Sequence, residues 1–237
     1  MALRFDQIID YRNILLYEEV TDVIDVNIVE YGSLSGMHHY AAGCSTIYLP
    51  RTDYTPETFT HELLHAKIAA LGYSIYDDVY DLVLGNDKLC RMITIPLISH
   101  IANCLEHLHM HDHYLAMGFD KRKFITDYEV NKCETADLNW IKTHFRSRNT
   151  YNDTAIDQYI GRFFSFRCCF NDRYDYTACA TALKAIDREL YVVLEKLINE
   201  WQKIDLLKAK SSISVHRSIL AQWTNGIISW GNGKSIS

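Results

Sequence analysis

The strand-like run Cys44-Ser45-Thr46-Ile47-Tyr48-Leu49-Pro50 leads shortly into Thr55-Pro56-Glu57-Thr58-Phe59-Thr60-His61-Glu62-Leu63-Leu64-His65-Ala66-Lys67, and Gly72 closes the unit. The first run reads as a short strand, and Pro50 stops it. Thr55 is suited to cap a helix, because its hydroxyl can accept from an orphan backbone N–H of the first turn. Pro56 stands at the first helical position, where its missing donor costs nothing, and Glu57 complements the helix dipole. A helix is therefore expected over 56–71. His61 and His65, four residues apart, lie on one face of it.

Working outward, residues 25–32 alternate and predict a second strand, and the three-glycine segment 32–43 is expected to be a turn or loop. A long helix is expected over 87–117, delayed or bent by Pro96 and ended by Gly118. Between Gly118 and Gly226 the only glycine is Gly161, and there is no proline. Such a breaker-poor stretch predicts helices, at about 134–146, 153–170 and 177–209. In the last of these, Leu183, Ile186, Leu190, Val193, Leu197, Trp201 and Ile204 form an apolar stripe that reads as core packing. The tail 225–237, with its glycines and serines, is expected to fray. The expected fold class is α+β, mostly α-helical: a small N-terminal β-sheet packed on the His-bearing helix, followed by a helical bundle. The expected division is a core over 1–118 and a helical lobe over 119–237, or one continuous body.

His61-Glu62-Leu63-Leu64-His65 is a His-Glu-x-x-His pattern. Two imidazoles one turn apart can each give a nitrogen to one metal at about 2.0–2.1 Å. Glu62, one position after the first imidazole, can reach a water beside the metal without ligating it, which suits a general base. A catalytic zinc needs a third protein ligand and an open position. The helix over 87–117 offers His100, Asn103, Glu106, His107, His109, His111 and His113.

Here the sequence resembles the zincin metallopeptidases over about residues 44–117. Thr58 and Phe59 match their preference ahead of the first His, and Leu63, Leu64 and Ala66 match the uncharged positions between and after the ligands. Lys67 stands where that family prefers an apolar residue. Glu106, 41 residues beyond His65, is similar to the downstream Glu of the gluzincin branch. The resemblance implies Zn²⁺ held by His61, His65 and Glu106, with Asn103 one turn earlier steadying the site. His107 is the rival third ligand. Met110 stands where many gluzincins place an Asp that holds the first His. The implied activity is zinc-dependent hydrolysis of peptide bonds in a protein or peptide, with a regulatory protein as substrate by analogy. The alternative is a zincin-fold protein without catalysis that binds metal and a partner.

Composition fits this reading. The chain has 237 residues, 48% of them hydrophobic and 23% charged, which excludes a disordered or collagen-like chain. The net charge of −6 argues against a nucleic-acid partner. Asp6 and Asp10 fall where a signal peptide needs apolar residues, and no run approaches a membrane span. The expected location is cytoplasmic. Seven cysteines with no Cys-x-x-Cys read as buried thiols. His38-His39, in the glycine-bearing loop, has no position that sequence assigns.

Overall fold

A computed structural model of the chain describes residues 5–32, 36–41, 43–208 and 213–237. It is α+β and mostly helical, with a small N-terminal sheet. No helix of the described residues is long and apolar enough to cross a membrane.

Two compact units are interleaved along the chain. The first comprises Met1–Ser74, Leu108–Glu129 and Asp205–Lys210, and the second the remainder. Residue 118, where sequence placed a boundary, falls inside the Leu108–Glu129 segment of the first unit.

The first unit contains α1 (Ile14–Thr21), β1 (Asp25–Tyr31), β2 (Met37–Ala41), β3 (Cys44–Pro50) and α2 (Pro56–Ala70). β3 is central: it pairs in parallel with β1, from Asp25↔Cys44 to Tyr31↔Pro50, and antiparallel with β2, from Met37↔Tyr48 to Ala41↔Cys44. Ser45, Ile47 and Leu49 alternate inward on β3 and are fully buried. The expected loop over 32–43 therefore contains a strand, whose alternation is hidden by two adjacent histidines and exposed flanks.

The start of α2 is built as its sequence dictates. Thr55 Oγ1 accepts from Thr58 N at 3.3 Å, and Gly72, at φ +89°, ends the turn beyond it. α2 packs on α1, β2 and β3 and is buried nearly all round, including Phe59, Leu63, Ala66 and Ile68. Burying each large apolar side chain contributes on the order of 1.5–3 kcal/mol. Buried Asn13 ties the N-terminal turn to this helix, donating to Ile8 O at 2.8 Å and to Thr60 Oγ1 at 2.9 Å. Lys67, the departure from the zincin preference, ion-pairs with Glu19 of α1.

The expected helix over 87–117 is two: α4 (Asp87–Met92) and α5 (Ile95–Ala116), with α3 (Ile75–Leu84) before them. Thr94 Oγ1 caps α5 by accepting from Leu97 N at 3.3 Å, and Pro96 sits in the first turn, where it is tolerated. α5 contributes its residues up to His107 to the second unit and those from Leu108 to the first.

The second unit adds α6 (Thr135–His144), β4 (Arg146–Ser147), β5 (Thr150–Tyr151), α7 (Asp153–Arg167), α8 (Thr177–Ile186), α9 (Arg188–Trp201), α10 (Ile213–Gly231) and β6 (Ser235–Ile236). The expected single helix over 177–209 is broken at Asp187, whose carboxylate caps α9 by accepting from Leu190 N at 2.8 Å. Leu183, Leu190, Leu197 and Trp201 of the expected stripe are core residues.

The tail does not fray: α10 runs through it, and β6 pairs with β5. Its glycines are packing positions rather than breakers. A Cβ on Gly226 would stand 2.9 Å from Val193 Cγ1.

Candidate metal centre

α2 presents His61 and His65 one turn apart, and their Nε2 atoms are 3.3 Å from each other. His107, on α5, completes a group whose ligand nitrogens all lie within 4.8 Å of one another. His65 and His107 are buried and His61 is half-buried. Two ligands about 2.0–2.1 Å from a tetrahedral metal stand about 3.3–3.4 Å apart, so the His61–His65 separation is that of a chelating pair. Three converging imidazole nitrogens suit a borderline-soft divalent ion.

Neutral imidazole is the ligating form. Burial holds the His61 ring well below the ordinary imidazole value, and neighbouring His65 lowers it further; a hydrogen bond to the Phe124 backbone opposes them. Burial pushes His65 down to about 4. Both are therefore neutral at neutral pH.

Neighbouring groups orient the rings. The Phe124 ring packs 4.9 Å from His61, centroid to centroid, while His61 Nε2 faces His65. His38, carried by β2, lies parallel to His65 with centroids 6.0 Å apart. Its Nε2 is 2.9 Å from the hydroxyl of buried Ser45 on β3. The strand pair thus positions an imidazole beside the motif, and the β2–β3 register that does so was not visible in sequence.

Glu62 is only 6% exposed. Its Oε1 is 2.6 Å from the point a Cβ on Gly36 would occupy. Gly36 therefore leaves room for this carboxylate, and any larger residue would collide with it. The glycines of the 32–43 segment marked this as a special backbone, but nothing in sequence connected Gly36 to Glu62.

The other expected site residues are placed as follows. Glu106 is half-buried on α5 and is not a member of the group of converging ligand atoms, which takes its neighbour His107 instead. Asn103, one turn earlier, is exposed. Tyr114, also on α5, is fully buried against Phe119 and Phe124, and burial raises its phenol above the usual range.

No family model, no curated protein and no solved structure matches the chain.

Proposed function

We propose that the chain is a zinc-dependent metallopeptidase in which His61, His65 and His107 hold the metal and Glu62 is the general base. The observation that carries this reading is the 3.3 Å separation of the His61 and His65 Nε2 atoms, with the His107 nitrogen in the same group. The expected third ligand, Glu106, gives way to His107 because the converging atoms are all imidazole nitrogens. When bound, zinc supplies a Lewis acid that polarises a carbonyl and acidifies a water.

The chain's own residues do the rest. His61 and His65 arrive neutral, so no proton has to leave them before they ligate. Glu62, wedged against Gly36, takes a proton from the attacking water and passes it to the leaving amine. A peptide is the favoured substrate because a sheet edge lies beside the motif helix. β3, which leads into the motif, cannot take that role because it is central and both its sides are taken. The edge is β2, which packs on α2 and exposes Met37, His39, Tyr40 and Ala41. An extended chain can pair with such an edge through its backbone.

Elemental mass spectrometry of untagged protein, purified without added metal, is expected to find close to one zinc per chain. Glu62→Gln is expected to keep that zinc and lose about 10²–10⁴-fold of turnover on a peptide library. A protein that holds no zinc and takes none up at micromolar concentration would overturn the reading. Zinc without cleavage of any peptide would leave the metal-binding interaction protein as the function.

A further inference from the structure

A cleft of about 260 Å³ lies wholly within the second unit, between the start of α5 and the middle of α7. Leu97 and His100 line it from α5, and Asp157, Gln158, Gly161, Arg162 and Ser165 from α7. Its size falls just below the ~300 Å³ at which pockets for drug-sized molecules begin, so it suits a smaller one.

Asp157, Gly161 and Ser165 are spaced four apart and share one face of α7, with the glycine in the middle. Only proline is less favoured than glycine in a helix interior. Packing does not ask for the glycine here. A Cβ on Gly161 would meet only Leu97 Cδ1, at 3.5 Å, an ordinary van der Waals contact. What the missing side chain provides is the hollow between Asp157 and Ser165.

The polar groups around that hollow are set to accept. Asp157 Oδ1 accepts from Thr94 N at 2.9 Å, and the carboxylate has no ion-pair partner among the described residues. Ser165 gives its proton to the Gly161 carbonyl at 2.9 Å, so its oxygen is the acceptor toward His100 Nε2, 3.0 Å away. That oxygen keeps a second lone pair, and Asp157 Oδ2 and the Gln158 amide oxygen add two more acceptors. The one cationic side chain of the lining is already spent: Arg162 Nη2 donates to Asp137 Oδ1 at 2.9 Å, and Nη1 to the Lys132 carbonyl at 3.3 Å. The uncompensated charge in the cleft is therefore negative.

We propose that this cleft binds a small primary ammonium ion, either an alkylamine or the amine end of a longer molecule. The three ammonium protons go to Asp157, Ser165 and Gln158, and the alkyl chain lies over Gly161 against Leu97. An anion of the same length meets the Asp157 charge with the wrong sign, and a neutral alcohol gains nothing from it.

The test is saturation-transfer NMR on the full-length chain at pH 7, with n-butylammonium, butyrate and 1-butanol as probes. Butylammonium is expected to bind at least about tenfold more tightly than the other two. Asp157→Asn keeps an acceptor for Thr94 N but removes the charge, and is expected to weaken butylammonium binding about tenfold. Gly161→Ala fills the hollow and is expected to abolish transfer while raising the thermal midpoint, since alanine is the better helix former. An amine can also ligate a metal, so the measurement is repeated after dialysis against a chelator. Binding is expected to persist, because no residue of the cleft belongs to the metal group. No transfer to butylammonium, equal binding of butyrate, or binding lost with the chelator would each overturn the proposal. So would a Gly161→Ala chain that binds as before, or one whose midpoint falls, which would give the glycine a packing role.

Discussion

His61 and His65 on α2 share their i, i+4 spacing with His107 and His111 on α5, and with His109 and His113 one face away. The outcomes differ. On α2 both imidazoles join the metal group, whereas of the α5 histidines only His107 does, among the described residues. His111 instead lies edge-on to Phe124, with Nδ1 3.4 Å from Asp112, and His113 approaches Asp205 at 3.9 Å. Spacing puts two rings on one helix face; convergence needs partners that aim them. On α2 those partners are the Phe124 ring, the parallel His38 ring and the burial that keeps both rings neutral.

The sharpest way to break this contrast is to remove one ring at a time and measure zinc affinity by competition with a chelator. His65→Ala and His107→Ala are expected to cost at least about 100-fold, beyond what losing a group that merely orients a ligand does. His111→Ala and Glu106→Ala are expected to change affinity by less than about threefold. If Glu106→Ala lost zinc and His107→Ala kept it, the two helices would not differ in the way described.

A smaller effect separates base from ligands. Gly36→Ala is expected to displace the Glu62 carboxylate, lowering turnover by about 10–100-fold while zinc content stays near that of the unmodified chain. Equal turnover in the variant would mean that the close approach has no part in placing Glu62.

The smallest effect concerns the frame. Thr55→Ala removes the α2 cap and is expected to lower stability by about 1 kcal/mol, read as a shift in the urea midpoint with the slope unchanged. A midpoint that does not move would show that packing on α1 and β3 alone holds the start of α2.

Sequence made much of this frame legible. The bounds of β3, the Thr55 cap, the Gly72 stop and the α2 face were all written in local chemistry, where a few neighbouring residues decide the conformation. Asp187 and the tail were misread for the opposite reason. Asp187 ends one helix and caps the next because Leu190 N and Trp230 Nε1 both donate to it, and Trp230 is 43 residues away. Gly226 and Gly231 resemble breakers until the side chains of Val193 and Lys88 are found against them. The metal group divides the same way: the chelating spacing on α2 is local, while His38, Gly36 and Phe124 reach it only through the tertiary fold. That His107 rather than adjacent Glu106 joins the converging nitrogens depends on a helix rotation that no periodicity resolves to one residue.

The interleaving of the two units bears on how the protein comes off the ribosome. The first unit starts with Met1–Ser74 but also needs Leu108–Glu129 and Asp205–Lys210. At about 5–20 residues per second, the segment carrying His61 and His65 waits on the order of ten seconds for its last strand of chain. For the first part of that interval His61 and His65 are made without Phe124, the ring that packs on His61. For this architecture the order of synthesis, rather than the final contacts, is where assembly is most exposed.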